Sequence, residues 1–345
     1  MNIAPELREE LVRILDAVQV RSPSSFTFAG QDSNGLAPPM IGLQLQASAA
    51  PLMNELTSQL YQHCFSNRFK GKIESSETPF TPIDPVRVEL LMRANQSREH
   101  WEDGWQSIQS MPNGQVIATN GTLTRVLMPG EFVNLSGMGT PLPPASMLRI
   151  FAPRESQTVQ PGYYFAFGET VADSSDESST ARFYWNISAE GSAELLQLLS
   201  QRLNRWQVPF RFKTGLHSSM HARLDSAVLY VPRRTAAFTY ELLSGIHERV
   251  RPSLRAEVPL FTLRLAGGLA YADDTGTRES FGMSRSRLLA QGIWLAHCEG
   301  AQPTEERLAA VDREFRAEGI SLERPWLGAG LTDDPLFAAV NEEGA

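Results

Sequence analysis

Apolar residues recur at helical spacing near both ends of this chain and at strand-like spacing through its middle. Leu7, Leu11, Ile14, Leu15 and Val18 share one stripe, which predicts an amphipathic helix over 5–20. Leu52, Leu56, Leu60 and Cys64 predict a second over 51–65. The polar stretch 70–85, with three prolines, reads as a linker. Residues 86–92 fit a strand or a short helix. Asn113-Gly114 and Asn120-Gly121 are hairpin signals on either side of a strand over 115–119, and 123–127 continues the β pattern. Strands are predicted over 147–151, 163–167 and 182–187, with a Ser/Asp-rich surface loop at 173–180.

The clearest helix follows. Ser192 is its expected cap, Glu194 suits the first turn, and Leu195, Leu198, Leu199, Leu203 and Trp206 form its apolar face until Pro209 ends it. Strands over 210–213, 223–231 and 260–265 and helices over 238–250, 285–297 and 304–318 complete the pattern. No internal repeat is visible. The expected class is α+β, with a mixed or antiparallel sheet flanked by helices. The expected organisation is an N-terminal helical region, 1–75, followed by a larger region, 76–345.

At 345 residues and 42% apolar, the chain can bury a sizeable core. A net charge of −8 argues against broad nucleic-acid binding. No apolar run reaches the roughly 18 residues that span a bilayer, so no membrane partner is expected. Cys64 and Cys298 lie far apart, form no metal-ligand spacing and suggest no disulfide framework. The N-terminus lacks an apolar signal core, and a cytoplasmic location is expected. Phosphate-loop, dinucleotide, zinc-protease and nucleophile-elbow motifs are all missing, which disfavours ATP-driven, nicotinamide and serine-hydrolase chemistry and signals no cofactor.

The charge inventory is lopsided in one respect. Of 31 basic residues only Lys70, Lys72 and Lys213 are lysine, and Lys213 closes the apolar run Val208-Pro-Phe-Arg-Phe-Lys213. Arginine keeps its proton at physiological pH, whereas a desolvated lysine can release one. Strand alternation puts Arg211 and Lys213 on one face, where the guanidinium would lower the lysine's pKa; the plain alternative is an edge strand with two solvated cations. Arg223 and Tyr230 flank an apolar strand, either as an anion-binding arginine and a cleft-lining phenol or as parts of a strand with an Arg223–Asp225 surface pair. Arg278 and Arg285 bracket a helix start capped by Ser280 or Ser284, which suits an anion. His217 and His221, four apart, could be general acids. They lack a nearby carboxylate or cysteine to complete a metal site.

Several of these strings occur in an order that resembles the HopA-type family of bacterial proteins, named for a plant-pathogen type III effector and found also in peptide natural-product gene clusters. They are Phe183-Tyr-Trp-Asn-Ile187, 195–204, 208–213, Arg223-Leu-Asp-Ser-Ala-Val-Leu-Tyr230 and Glu279-Ser-Phe-Gly-Met-Ser-Arg285, covering about 180–300. Ala94-Asn95 and Asp103-Gly-Trp105 extend the likeness weakly toward the N-terminus. The resemblance implies a fold related to bacterial phosphothreonine lyases, which remove phosphate by β-elimination without metal. It further implies that a peptide kinase phosphorylates a precursor peptide and that this protein eliminates the phosphate to leave dehydroamino acids, as in lanthipeptide-like pathways. Carried over by residue, Lys213 resembles the base, Arg223, Arg278 and Arg285 the phosphate ligands, and Tyr230 a site tyrosine. Asn186 stands where the lyases have a histidine acid, leaving His217, His221 or Tyr184 to replace it. The alternative is a non-catalytic effector-like protein that binds a partner through the same basic pocket.

Overall fold

The computed structural model describes residues 3–33, 51–73, 83–121, 123–137, 141–173, 175–176, 179–274, 279–333 and 337. Its helices are α1 Pro5–Ala17, α2 Pro51–Leu60, α3 Pro85–Ala94, α4 Ala189–Arg205, α5 Ala236–Val250, α6 Phe281–Cys298 and α7 Thr304–Ala317. Its strands are β1 Val18–Ser22, β2 Ser25–Phe28, β3 Gln31–Asp32, β4 His100–Ser110, β5 Val116–Thr119, β6 Thr124–Leu127, β7 Phe132–Asn134, β8 Met147–Ala152, β9 Glu155–Ser156, β10 Tyr163–Phe167, β11 Thr180–Trp185, β12 Arg211–Gly215, β13 Ala227–Pro232, β14 Leu263–Ala266 and β15 Leu269–Asp273. The class is α+β.

A seven-stranded antiparallel sheet, ordered β14-β15-β11-β13-β12-β10-β9, forms the middle layer. One face carries Phe183, Trp185, Leu229 and Phe212 and packs on the α4–α5 pair. The other is met by α6 and by a π-helical turn, Tyr61–Phe65, that extends α2. These layers share one hydrophobic core, to which the expected N-terminal helical region contributes Leu11, Ile14, Leu56 and Leu60. A second sheet, ordered β6-β5-β4-β8-β7, encloses a small core of its own around Trp105, Leu148 and Ile150.

Local chemistry explains where the elements begin and end. Residues 86–92 resolve as helix because Asp84 caps α3 by accepting from the Val86 amide at 2.9 Å and Pro85 occupies its first turn. The cap of α4 is Ser188 and not Ser192: its Oγ accepts from the Gly191 amide at 3.1 Å, a contact worth about 1 kcal/mol. Ser192 lies inside the helix, where its hydroxyl bonds the Ala189 carbonyl. Trp206 falls past the last turn and is 53% exposed, edge-on to Phe238, so it leaves the apolar face expected of it. Ser280 caps α6 through the Met283 amide. Two positions further on, Gly282 is required by packing: a Cβ there would come within 2.5 Å of the Phe65 ring. The expected strand over 223–231 starts later, at Ala227, since a 3-10 turn, Ser218–Ala222, and the Arg223–Asp225 pair occupy the approach to it.

Candidate functional site

Strand register assembles the site on the face that meets α6 and the π-turn. Arg182, Tyr230 and Arg211 lie in one cross-strand row; Tyr184, Val228, Lys213 and Phe165 form the next row on that face. Lys213 is half-buried, with Nζ 3.7 Å above the centre of the Tyr163 ring. Burial pushes its pKa down to about 8; the cations Arg223 and Arg182 add to this and Asp225 opposes it. The neighbour expected to tune it, Arg211, does not. Arg211 stacks on Tyr230 at 5.5 Å, opposite Arg182 at 5.3 Å, so Tyr230 lies between two guanidinium groups.

Arg223 is held at the site by three contacts. Its Nε and Nη2 each donate to Asp225 at 2.9 Å, and Nη2 also donates to the Tyr61 hydroxyl at 3.0 Å. The π-turn places Tyr61 there, stacked on Phe65, which in turn meets Tyr184 edge-on. Arg182 has a similar anchor, donating to Asp274 at 2.8 and 3.2 Å. Burial raises the pKa of Tyr61, Tyr163, Tyr184 and Tyr230 alike, which keeps all four phenols protonated at neutral pH. The result is a lysine able to lose its proton near neutrality, two arginines flanking it, and several neutral donors. Beyond the Arg182–Tyr230–Arg211 row lies a cavity of about 310 Å³, lined on one side by Phe167, Arg211 and Tyr230 and on the other by His100, Glu102 and Arg125 of the five-stranded sheet.

Lys213, Arg223, Tyr230 and Tyr184 are therefore brought together. Other candidates serve elsewhere. Arg285 is 1% exposed: Nε donates to the Pro325 carbonyl at 2.8 Å and Nη2 to the Leu327 carbonyl at 2.7 Å, so it pins the 325–327 segment to α6. Asn186 is also buried, with its amide engaged by Arg255 at 2.8 Å and the Glu257 carbonyl at 3.0 Å. His221 meets the Ile187 carbonyl through Nδ1 at 3.0 Å and the Arg87 guanidinium through Nε2 at 2.6 Å. Arg87 can only donate, so Nε2 accepts and the ring is neutral, in line with a pKa lowered by burial. His217 lies before the 3-10 turn, beside Gly162. Arg278 lies outside the described residues.

Sequence reasoning missed Tyr61, Tyr163, Arg182, Asp225, Asp274 and Arg87. Arg182 carried a signal, two positions before Tyr184 on a predicted strand. Asp225 stood inside a quoted string but read as a surface partner. Arg87 gave none: from α3 it donates to the Gly215 carbonyl at 3.0 and 2.9 Å, fixing the end of the strand that carries Lys213.

The model of the HopA1 effector protein family matches residues 154–327, half of the chain and all of the seven-stranded sheet with α4 to α7. The chain belongs to the HopA1 effector protein family. The solved effector protein from Pseudomonas syringae pv. tomato strain DC3000 is 14% identical, with a TM-score of 0.45 over 83% of this chain and 92% of that one. An effector protein from Pseudomonas syringae pv. syringae strain 61 is 20% identical, with a TM-score of 0.39 over 48% of this chain and 63% of that one. No curated protein matches the sequence. Within the HopA1 family match lie Lys213, Arg223, Arg182, Tyr184 and Tyr230, whereas Tyr61 and Arg87 are supplied from outside it. Among the described residues no helix is long and apolar enough to cross a membrane.

Proposed function

We propose that this HopA1-family protein is a phosphoserine/phosphothreonine lyase that acts on a precursor peptide phosphorylated by a separate kinase. The observation that carries the reading is Lys213, a lysine whose pKa is pushed down to about 8 in a cluster that also holds Arg223 and Arg182. Abstraction of an α-proton needs a base that is neutral near the working pH. Departure of phosphate needs fixed positive charge where negative charge develops. In the proposed step Lys213 Nζ takes the α-proton, the C–H electron pair becomes the second bond between Cα and Cβ, and the Cβ–O bond breaks. Phosphate leaves with that bond pair, beside the two arginines. The ester is a dianion at neutral pH, its second pKa being about 6, so the departing oxygen takes up a proton from a neighbouring donor as the C–O bond breaks and phosphate leaves as a dianion. Tyr184, kept protonated by burial, supplies a hydrogen-bond donor in the row of Lys213. The cavity beyond Tyr230 receives the peptide on either side of the reacting residue.

One observation favours a second reading, a non-catalytic effector-like binding protein. Arg223 and Arg182 are each already engaged by a carboxylate, Asp225 and Asp274, with which a dianion has to compete. The pH dependence separates the two. For the lyase, Lys213 must be neutral, so elimination rises roughly tenfold per pH unit toward pH 8 and levels off above it. Phosphate release and dehydroamino acid formation from synthetic phosphopeptides, followed from about pH 6 to 9, give the profile. Phosphopeptide binding without elimination at every pH supports the binding protein and overturns the lyase.

A further inference from the structure

A second basic cavity lies apart from Lys213, on the side of the N-terminal region. It has a volume of about 310 Å³, and its lining includes Arg68, Lys70, Lys72 and Arg255, with Glu257 as the single carboxylate. In the lining four cations face one carboxylate, the reverse of the balance of the chain, whose 39 acidic residues exceed its 31 basic ones; Arg68 is also met from outside the lining by Glu10 at 3.9 Å. Two of the three lysines in the protein are here.

Arg255 is built into the wall. Its Nε donates to Asn186 Oδ1 at 2.8 Å, and its Nη2 donates to the carbonyls of His221 and Arg223. Its Nη1 has no partner among the described residues, and neither it nor Lys70 is paired with a carboxylate there. Asn186 completes the wall by donating to the Glu257 carbonyl at 3.0 Å. The guanidinium is thus held in place by uncharged acceptors, with Glu257 the carboxylate that acts on its charge from the same cavity. Such an arrangement is preorganised for an anion.

The volume falls at the lower end of the ~300–1,000 Å³ typical of small-molecule and peptide sites, more than one phosphate fills. The amides of Gln62 and Asn67 also line the cavity. Together with the Glu257 carboxylate they can accept from and donate to a polypeptide backbone. A carboxylate on the wall opposes a dense dianion, but it suits backbone N–H groups placed between spaced acidic side chains.

We propose that this cavity is an exosite for an acidic polypeptide segment, whose aspartate or glutamate carboxylates pair with Arg68, Lys70, Lys72 and Arg255. The proposal does not depend on the lyase reading, and its test is a binding measurement. A fluorescein-labelled peptide alternating Glu and Gly is titrated with the full chain, and anisotropy is compared with that of the same peptide carrying Gln for Glu. Saturable binding of the Glu peptide only is expected, weakening with salt. The double variant Lys70→Glu/Lys72→Glu, changed at two exposed positions and checked for native circular dichroism, is expected to weaken binding by roughly tenfold or more. Lys213→Ala is expected to bind as wild type does. Absence of saturable binding, equal binding of the Gln peptide, or undiminished binding by the double variant overturns the proposal. So does displacement by equimolar inorganic phosphate, or preferential binding of a single-stranded oligonucleotide.

Discussion

Lys213→Arg is expected to abolish β-elimination while leaving phosphopeptide binding within a few-fold of wild type. The substitution keeps a cation on β12 but replaces a base whose pKa lies near 8 with one that stays protonated. Loss of a positioned general base costs about 10²–10⁴-fold in rate, so single-turnover release of phosphate from a synthetic phosphoserine peptide should fall to the limit of detection. Lys213→Ala should lose the rate equally and should also weaken binding, since it removes a charge from the cluster. The variants are informative because, among the described residues, Lys213 donates to no buried acceptor that would be orphaned; its strand is fixed at the far end by Arg87 on the Gly215 carbonyl. Elimination by Lys213→Arg at the wild-type rate would remove Lys213 from the base role.

Arg285→Met is expected to cost stability and not phosphate affinity. The guanidinium is 1% exposed and satisfies the carbonyls of Pro325 and Leu327, which no solvent would reach after truncation. Each orphaned buried acceptor costs about 1–3 kcal/mol, so a total of about 2–6 kcal/mol is expected in urea unfolding, with an unchanged phosphopeptide dissociation constant for the folded variant. Burial lowers the Arg285 pKa to about 10, which still leaves it charged, and it lies over the Phe281 ring at 4.7 Å. Its charge is therefore spent inside the fold. A variant of wild-type stability that no longer bound phosphopeptide would return Arg285 to the phosphate-binding role.

The sequence made some levels of the structure legible and not others. Elements set by short-range chemistry were readable: the stripe of α1, the Asn-Gly turns around β5, the run that became β10, and Pro209 ending the helix before β12. Elements set by tertiary burial were not. β15, Leu269-Ala-Tyr-Ala-Asp273, has no β-branched residue and owes its conformation to pairing with β11 on one side and β14 on the other. β4 is polar over most of its length and interrupted by Gly104 at a φ of +84°, within the register shift between Glu102 and Trp105. At the site, Lys213 stood out because lysine is rare here, Tyr230 was read from its place near the end of an apolar strand, and Tyr184 entered only through the family resemblance. Tyr61 could not be placed, since its contact with Arg223 depends on a π-turn and on how α2 packs against the sheet. The roles of Arg285 and Asn186 were hidden for a related reason. A buried arginine or asparagine reads as functional in sequence, while the carbonyls that occupy these two come from segments 40 to 71 residues away.

Asp225 and Asp274 give the site its particular character. Each holds an arginine in position by a charge-assisted contact, and each must yield some of that contact when a dianion arrives. Asp225 also holds the Lys213 pKa higher than burial and the arginines alone would leave it. The same carboxylate thus moderates both the base and the phosphate-binding charge.

The most direct measurement uses wild-type protein and a phosphoserine peptide deuterated at the α-carbon, with products read by mass spectrometry. Removal of the α-proton by Lys213 predicts a product that has lost both phosphoric acid and the deuterium, and that adds a thiol across the new double bond. A product that has lost phosphate but carries serine with its deuterium intact would mean hydrolysis at phosphorus and would contradict the account.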